Sequence, residues 1–142
     1  MHGFYRVASA VNKTIIANPQ QNALEILSLL EEAFDQDVSV IVFPELTLTS
    51  YSSSDLFFNQ LLLSQQNEAL NFLLKKSTHI STIAILGIVL LHNNRLYNCS
   101  IILQNGNILG IVPKSYLPNK KNFMRNDTLF QEKILKIQKP FF

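Results

Sequence analysis

The sequence has 142 residues, 47% hydrophobic and 15% charged, which supports one domain with a sizeable core and excludes a disordered chain. The formal charge is only +2 and the lysines are scattered, adjacent only at Lys75-Lys76 and Lys120-Lys121, so a solvated surface accounts for them and a nucleic-acid-binding stripe is not indicated. One cysteine permits no internal disulfide, the N-terminus lacks a signal-peptide pattern, and the longest apolar run, Ile83 to Leu91, is about half a membrane helix, so a cytoplasmic soluble protein is expected.

Phe4 to Val11 mixes apolar and small residues over strand length and is predicted as a strand. Asn18-Pro19 then opens a helix, with Asn18 as its cap and Pro19 in its first turn. Ala23, Ile26, Leu27, Leu30, Ala33 and Phe34 follow at helical spacing, with Gln20, Glu31, Glu32 and Asp35 on the other face. Val38 to Phe43 is a short apolar run interrupted only by Ser39; it predicts a buried strand, ended by Pro44. A loop rich in Ser and Thr runs through Ser54. Asp55 or a nearby Ser is predicted to cap a second helix reaching about Lys76, with Leu56, Leu63, Leu70, Phe72 and Leu73 apolar.

The second half turns to strands: Thr82 to Leu91, Arg95 to Gln104, and Ile108 to Val112. Asn105-Gly106 joins the last two, and both residues accept the positive φ of a type I′ hairpin turn. His92-Asn93-Asn94 predicts a similar connection. The order β-α-β-α-β-β-β implies an α/β fold with helices layered over sheet. Past Pro113 the periodicity fades. Lys114 to Asp127 is polar and predicts a loop, and Gln131 to Phe142 suits the start of another strand. Phe141 and Phe142 bring no closing signal, so the domain is expected to extend beyond them.

Two positions suit chemistry. Glu45 directly follows a buried strand in Val-Phe-Pro-Glu, the kind of strand end where functional groups gather, and a carboxylate there suits general-base work. An ordinary capping or surface Glu is the plainer reading. Lys114 follows another strand, one residue past Pro113; a lysine held near a carboxylate can stay charged and stabilise an oxyanion. A solvated loop lysine is its plainer reading, and no periodicity shows the two meeting. Cys99 lies mid-strand, where a small buried core residue is expected rather than a nucleophile. His2, His79 and His92 have no partners at metal-ligand spacing, and four glycines form no phosphate-binding loop.

At Glu45 and Lys114 the sequence resembles a known family. Val40-Ile41-Val42-Phe43-Pro44-Glu45-Leu46-Thr47-Leu48-Thr49-Ser50-Tyr51 is similar to the first motif of the nitrilase superfamily of carbon-nitrogen hydrolases. Gly110-Ile111-Val112-Pro113-Lys114-Ser115-Tyr116-Leu117-Pro118-Asn119 is similar to the second. Phe4-Tyr5-Arg6-Val7-Ala8, Tyr51-Ser52 leading to Asp55-Leu56-Phe57, and Arg95-Leu96-Tyr97-Asn98-Cys99 resemble the branch formed by the N-terminal glutaminase domain of glutamine-dependent NAD synthetase.

The resemblance spans residues 4 to about 130 and implies an α-β-β-α sandwich, incomplete in this chain, with a Glu-Lys-Cys trio. By it Glu45 is the general base, Lys114 the stabilising lysine and glutamine the substrate, whose side-chain amide the cysteine attacks to release ammonia. It makes residues 1–142 the N-terminal portion of one such domain, ending before the nucleophile, with the synthetase domain and its ATP and Mg lying outside this chain. Homo-oligomers are the family habit, and a complementing chain is a possible partner. Three departures are visible. Ser50 stands where the family has Gly. Lys120 stands where it has a Tyr that contacts the glutamine, so a charge replaces an apolar wall of the substrate pocket. The family usually carries a second acidic residue near Phe123, and Met124-Arg125-Asn126-Asp127 has lost that pattern.

Three readings follow: a piece of a glutamine amidohydrolase domain, a non-catalytic remnant that binds a partner, and a piece of another amidase such as a carbamoylase. The branch-like stretches favour the first. A Glu-Lys pair without a nucleophile forms no acyl-enzyme, so the chain alone is expected to be inactive. Uncovered sheet faces and edges make poor solubility the expectation.

Overall fold

Asn18 opens the first helix as its place before Pro19 predicts. Its side-chain oxygen accepts the N–H of Gln21 at 3.1 Å, and Pro19 fills a position where a missing N–H costs nothing. The computed structural model, which describes residues 3–50, 52–53 and 59–114, runs this helix (α1) over Pro19–Asp35. A short strand, β1 (Val7–Ser9), precedes it and another, β2 (Val40–Val42), follows. The second helix, α2, spans Gln60–Lys76, and its cap is Asn59, whose side chain accepts the N–H of Leu61 at 2.9 Å. The expected cap near Asp55 is therefore corrected to Asn59, which offers the same side-chain acceptor one residue before the helix. The chain ends in three longer strands, β3 (Ile83–His92), β4 (Arg95–Gln104) and β5 (Asn107–Pro113). Tyr51, Asp55, Leu56, Phe57, Lys120, Arg125 and the strand expected over 131–142 lie outside the described residues.

The strands form one mixed sheet in the order β1-β2-β3-β4-β5. The first three are parallel, each crossover being a helix, and the last three are antiparallel hairpins. Both tight turns have the expected chemistry: Asn93 and Asn94, and Asn105 and Gly106, all have positive φ. The first strand is shorter than Phe4 to Val11 because its one neighbour, β2, offers only three residues for pairing.

Both helices cover the same face of the sheet. One core joins Ala23, Ile26, Leu27 and Leu30 of α1 and Ala69, Leu70 and Leu73 of α2 to Ile41, Leu86, Ile88, Tyr97, Cys99 and Ile101 of the strands. Each buried Leu or Ile among them contributes roughly 1.5–3 kcal/mol by leaving water. The opposite face carries Val7, Val42, Ile85, Gly87, Ser100 and Val112, as the pairing registers dictate. It is only partly covered: Val7 is 68%, Val42 42% and Val112 47% exposed. The described residues thus supply one sheet with helices on one side. No helix among them is long and apolar enough to cross a membrane.

Candidate active site

Glu45 owes its position to a forced exit from the sheet. The Phe43 N–H donates to the Ile85 carbonyl at 2.9 Å, and then Pro44 has no N–H to continue the ladder. The backbone turns through Leu46, at φ 53°, and returns when the Thr47 N–H donates to the Gly87 carbonyl at 3.0 Å. Between these anchors the loop presses on Gly87. A Cβ at Gly87 would lie 2.4 Å from Leu46 N, 2.7 Å from Glu45 Cα and 2.8 Å from the Pro44 oxygen. Only glycine lets the chain carry Glu45 across β3 at this height.

Buried amides hold the loop from behind. Asn22 of α1 is fully buried; its amide donates to the carbonyls of Ile15 and Leu48, each at 2.8 Å, and its oxygen accepts the Ile15 N–H at 2.7 Å. The Thr47 hydroxyl donates to the Asn12 side-chain oxygen at 2.6 Å. Where β2 has ended, the exposed edge of β3 is capped by Gln66 of α2, which donates to the Val89 carbonyl at 2.7 Å and accepts its N–H at 3.0 Å. Buried backbone groups require such partners, and here a side-chain amide imitates a strand.

Lys114 arrives from the far edge of the same sheet. β5 pairs with β4 as far as Pro113 opposite Cys99, and one step on the Lys114 N–H donates to the Asn98 carbonyl at 2.8 Å. From there the Lys114 Nζ reaches Glu45 Oε1 at 2.9 Å, closing a sequence gap of 69 residues. Asn98, itself 5% exposed, donates its side-chain amide to the same oxygen. The structure therefore brings together the two candidate residues and adds Asn98, which sequence reasoning missed because a polar residue in a strand shows no face of its own. The pair is only partly desolvated: the side chains of Lys114 and Glu45 are 38% and 39% exposed. They border an open cleft of about 340 Å³ on the partly covered sheet face, floored by Ile85, Gly87 and Ser100 and flanked by Val42 and Val112.

Cys99 is not part of this arrangement. It is 2% exposed with its side chain in the helix-side core, and burial pushes its thiol up to about 12. A nucleophile needs the opposite, an accessible thiol with a depressed pKa. Lys120 lies outside the described residues.

A carboxylate fixed beside an ammonium at a strand end can take a proton while the lysine stabilises developing negative charge. The sequence profile of the carbon-nitrogen hydrolases matches residues 6–139. The glutamine-dependent NAD(+) synthetase of Mycobacterium tuberculosis is 38% identical over 122 residues, covering 86% of this chain and 18% of that protein. Among solved structures, the glutamine-dependent NAD(+) synthetase from Cytophaga hutchinsonii superposes with a TM-score of 0.80 at 24% identity, over 89% of this chain and 22% of that one. An amidase from Nesterenkonia sp. superposes with a TM-score of 0.76 at 16% identity, over 91% of this chain and 48% of that one. These two share the fold, with the same mixed sheet and helices. The chain spans about a fifth of the synthetases' length and belongs to the carbon-nitrogen hydrolase family.

Proposed function

We propose that this chain supplies the Glu-Lys half of a glutamine amidohydrolase centre, of the kind that would feed ammonia to a glutamine-dependent NAD synthetase. The observation that carries the reading is the 2.9 Å contact of Lys114, at the end of the edge strand β5, with Glu45, in the loop after β2, at the cleft. Glu45 takes the proton of an attacking cysteine thiol and returns it to the leaving ammonia. Lys114 steadies the oxyanion, and water then hydrolyses the thioester. The one cysteine of these 142 residues is the buried Cys99, so the nucleophile belongs to a further segment, covalently attached or on a complementing chain. The chain alone is inactive. Complementation takes place on the partly covered sheet face, in the cytoplasm, and homo-oligomers form from the completed domain. In this reading ATP and magnesium belong to a separate synthetase domain.

The test is ammonia release from glutamine by the purified chain, alone and mixed with the cysteine-bearing remainder of a related domain. The expected result is no turnover alone, turnover on mixing, and a fall of about 10²–10⁴ on Glu45→Gln. Turnover by the chain alone that disappears with Glu45→Ala overturns the inactivity. A folded mixture without turnover favours the second reading, a partner-binding fragment, which the exposure of Val42 and Val112 supports.

A further inference from the structure

We infer that Asn98 is a positioning residue that assigns different tasks to the two oxygens of Glu45, an inference resting on the amidohydrolase reading. The Asn98 amide and the Lys114 ammonium both bind Oε1. Among the described residues no group binds Oε2. Oε1 is therefore held by two donors, and the inference gives the proton-accepting task to the second oxygen. Asn98 also fixes the second partner, because its backbone carbonyl receives the Lys114 N–H at 2.8 Å. One buried residue thus sets the carboxylate orientation through its side chain and the root of the lysine through its backbone. Its neighbour across the hairpin is Val89, whose other edge is clamped by Gln66, so the platform beneath Asn98 is rigid. Without that anchor the Glu45 carboxylate is held by the Lys114 ammonium alone, whose freely turning N–H donors fix its orientation less tightly.

The reading predicts energetic coupling, which is measurable without turnover. Trace acetylation with acetic anhydride, read residue by residue by mass spectrometry, reports how tightly the Lys114 amine is engaged. Exposed Lys13, Lys75 and Lys76 serve as internal references. Glu45→Gln is expected to raise Lys114 labelling several-fold, and Asn98→Leu to raise it in the same direction. In the Glu45→Gln background, Asn98→Leu is expected to add nothing, because its effect runs through the lost carboxylate. Equal labelling in Asn98→Leu and the parent overturns the inference, as does an additive increase in the double variant, which marks general loosening of the strand. Protection of the Cys99 thiol from a thiol reagent verifies folding of each variant. Should Asn98→Leu expose it, Asn98→Ser removes the reach with less disturbance and faces the same two criteria. If glutamine hydrolysis fails but the coupling holds, the amidohydrolase reading falls and the anchoring by Asn98 stands.

Discussion

Replacing Gly87 with alanine tests whether the close crossing of Pro44 to Leu46 is what places Glu45. The added methyl would meet three backbone atoms at 2.4–2.8 Å, well inside contact distance. Overpacking against side chains that can swing aside costs about 1–3 kcal/mol, and backbone atoms cannot swing aside. The loop must lift, and the Thr47 to Gly87 hydrogen bond, which contributes about 1 kcal/mol, is lost with it. The exposed ion pair adds less than about 1 kcal/mol. The expected loss is about 3–4 kcal/mol, a large share of a total stability of about 5–15 kcal/mol. For a chain of 142 residues this lowers Tm by about 10 °C. Urea unfolding followed by circular dichroism measures the loss, and acetylation of Lys114 reports whether the pair has parted. A cost below about 1 kcal/mol, with Lys114 still protected, would refute the reasoning.

Other substitutions probe other parts of the architecture. Ser50 has φ 74°, a left-handed conformation that costs a side-chain-bearing residue about 1 kcal/mol, so Ser50→Gly is expected to raise Tm by about 3 °C in a thermal melt. Gln66→Leu strands the buried N–H and carbonyl of Val89 and is expected to cost about 3 kcal/mol in urea unfolding. The thiol of Cys99 lies at about 12, so it stays protonated through the range, near 8.5, where a free thiol ionises. Its reaction with a thiol reagent is therefore expected to stay slow as pH rises through that range and to become fast only on unfolding. Val42→Thr with Val112→Thr is expected to raise the concentration at which light scattering appears, with Tm little changed, since both side chains are more than two-fifths exposed.

Local chemistry made much of this fold legible. Asn18-Pro19, Asn93-Asn94 and Asn105-Gly106 act locally, on backbone within a few residues, so their turns and cap could be placed from neighbouring residues alone, and β4 has the limits its apolar run predicts. The second helix start was less legible because Ser, Asp and Asn crowd the preceding loop, and any of them can cap; Asn59 does. The site was legible only as two separate candidates. Its closure depends on a register that aligns Gly87 with Ser100 and Lys114 with Asn98, and pairing between distant strands leaves no trace in periodicity. Asn22 and Gln66 were missed for a related reason. Each interrupts an apolar helix face, and its value lies in backbone groups far along the chain.

The exposure of the Glu45-Lys114 pair gives the solvent control over its strength. Two unit charges at about 4 Å attract by about 1 kcal/mol in bulk water and by about 4 kcal/mol at the effective dielectric of a protein surface. The side chains are 38% and 39% exposed, and the distance between them is already that of a formed pair. Whatever layer comes to lie over Val42 and Val112 would strengthen this field by displacing water alone, with no movement of either residue. Assembly would then act on the site as a dielectric switch, one that acts through the medium around a geometry already built into the sheet.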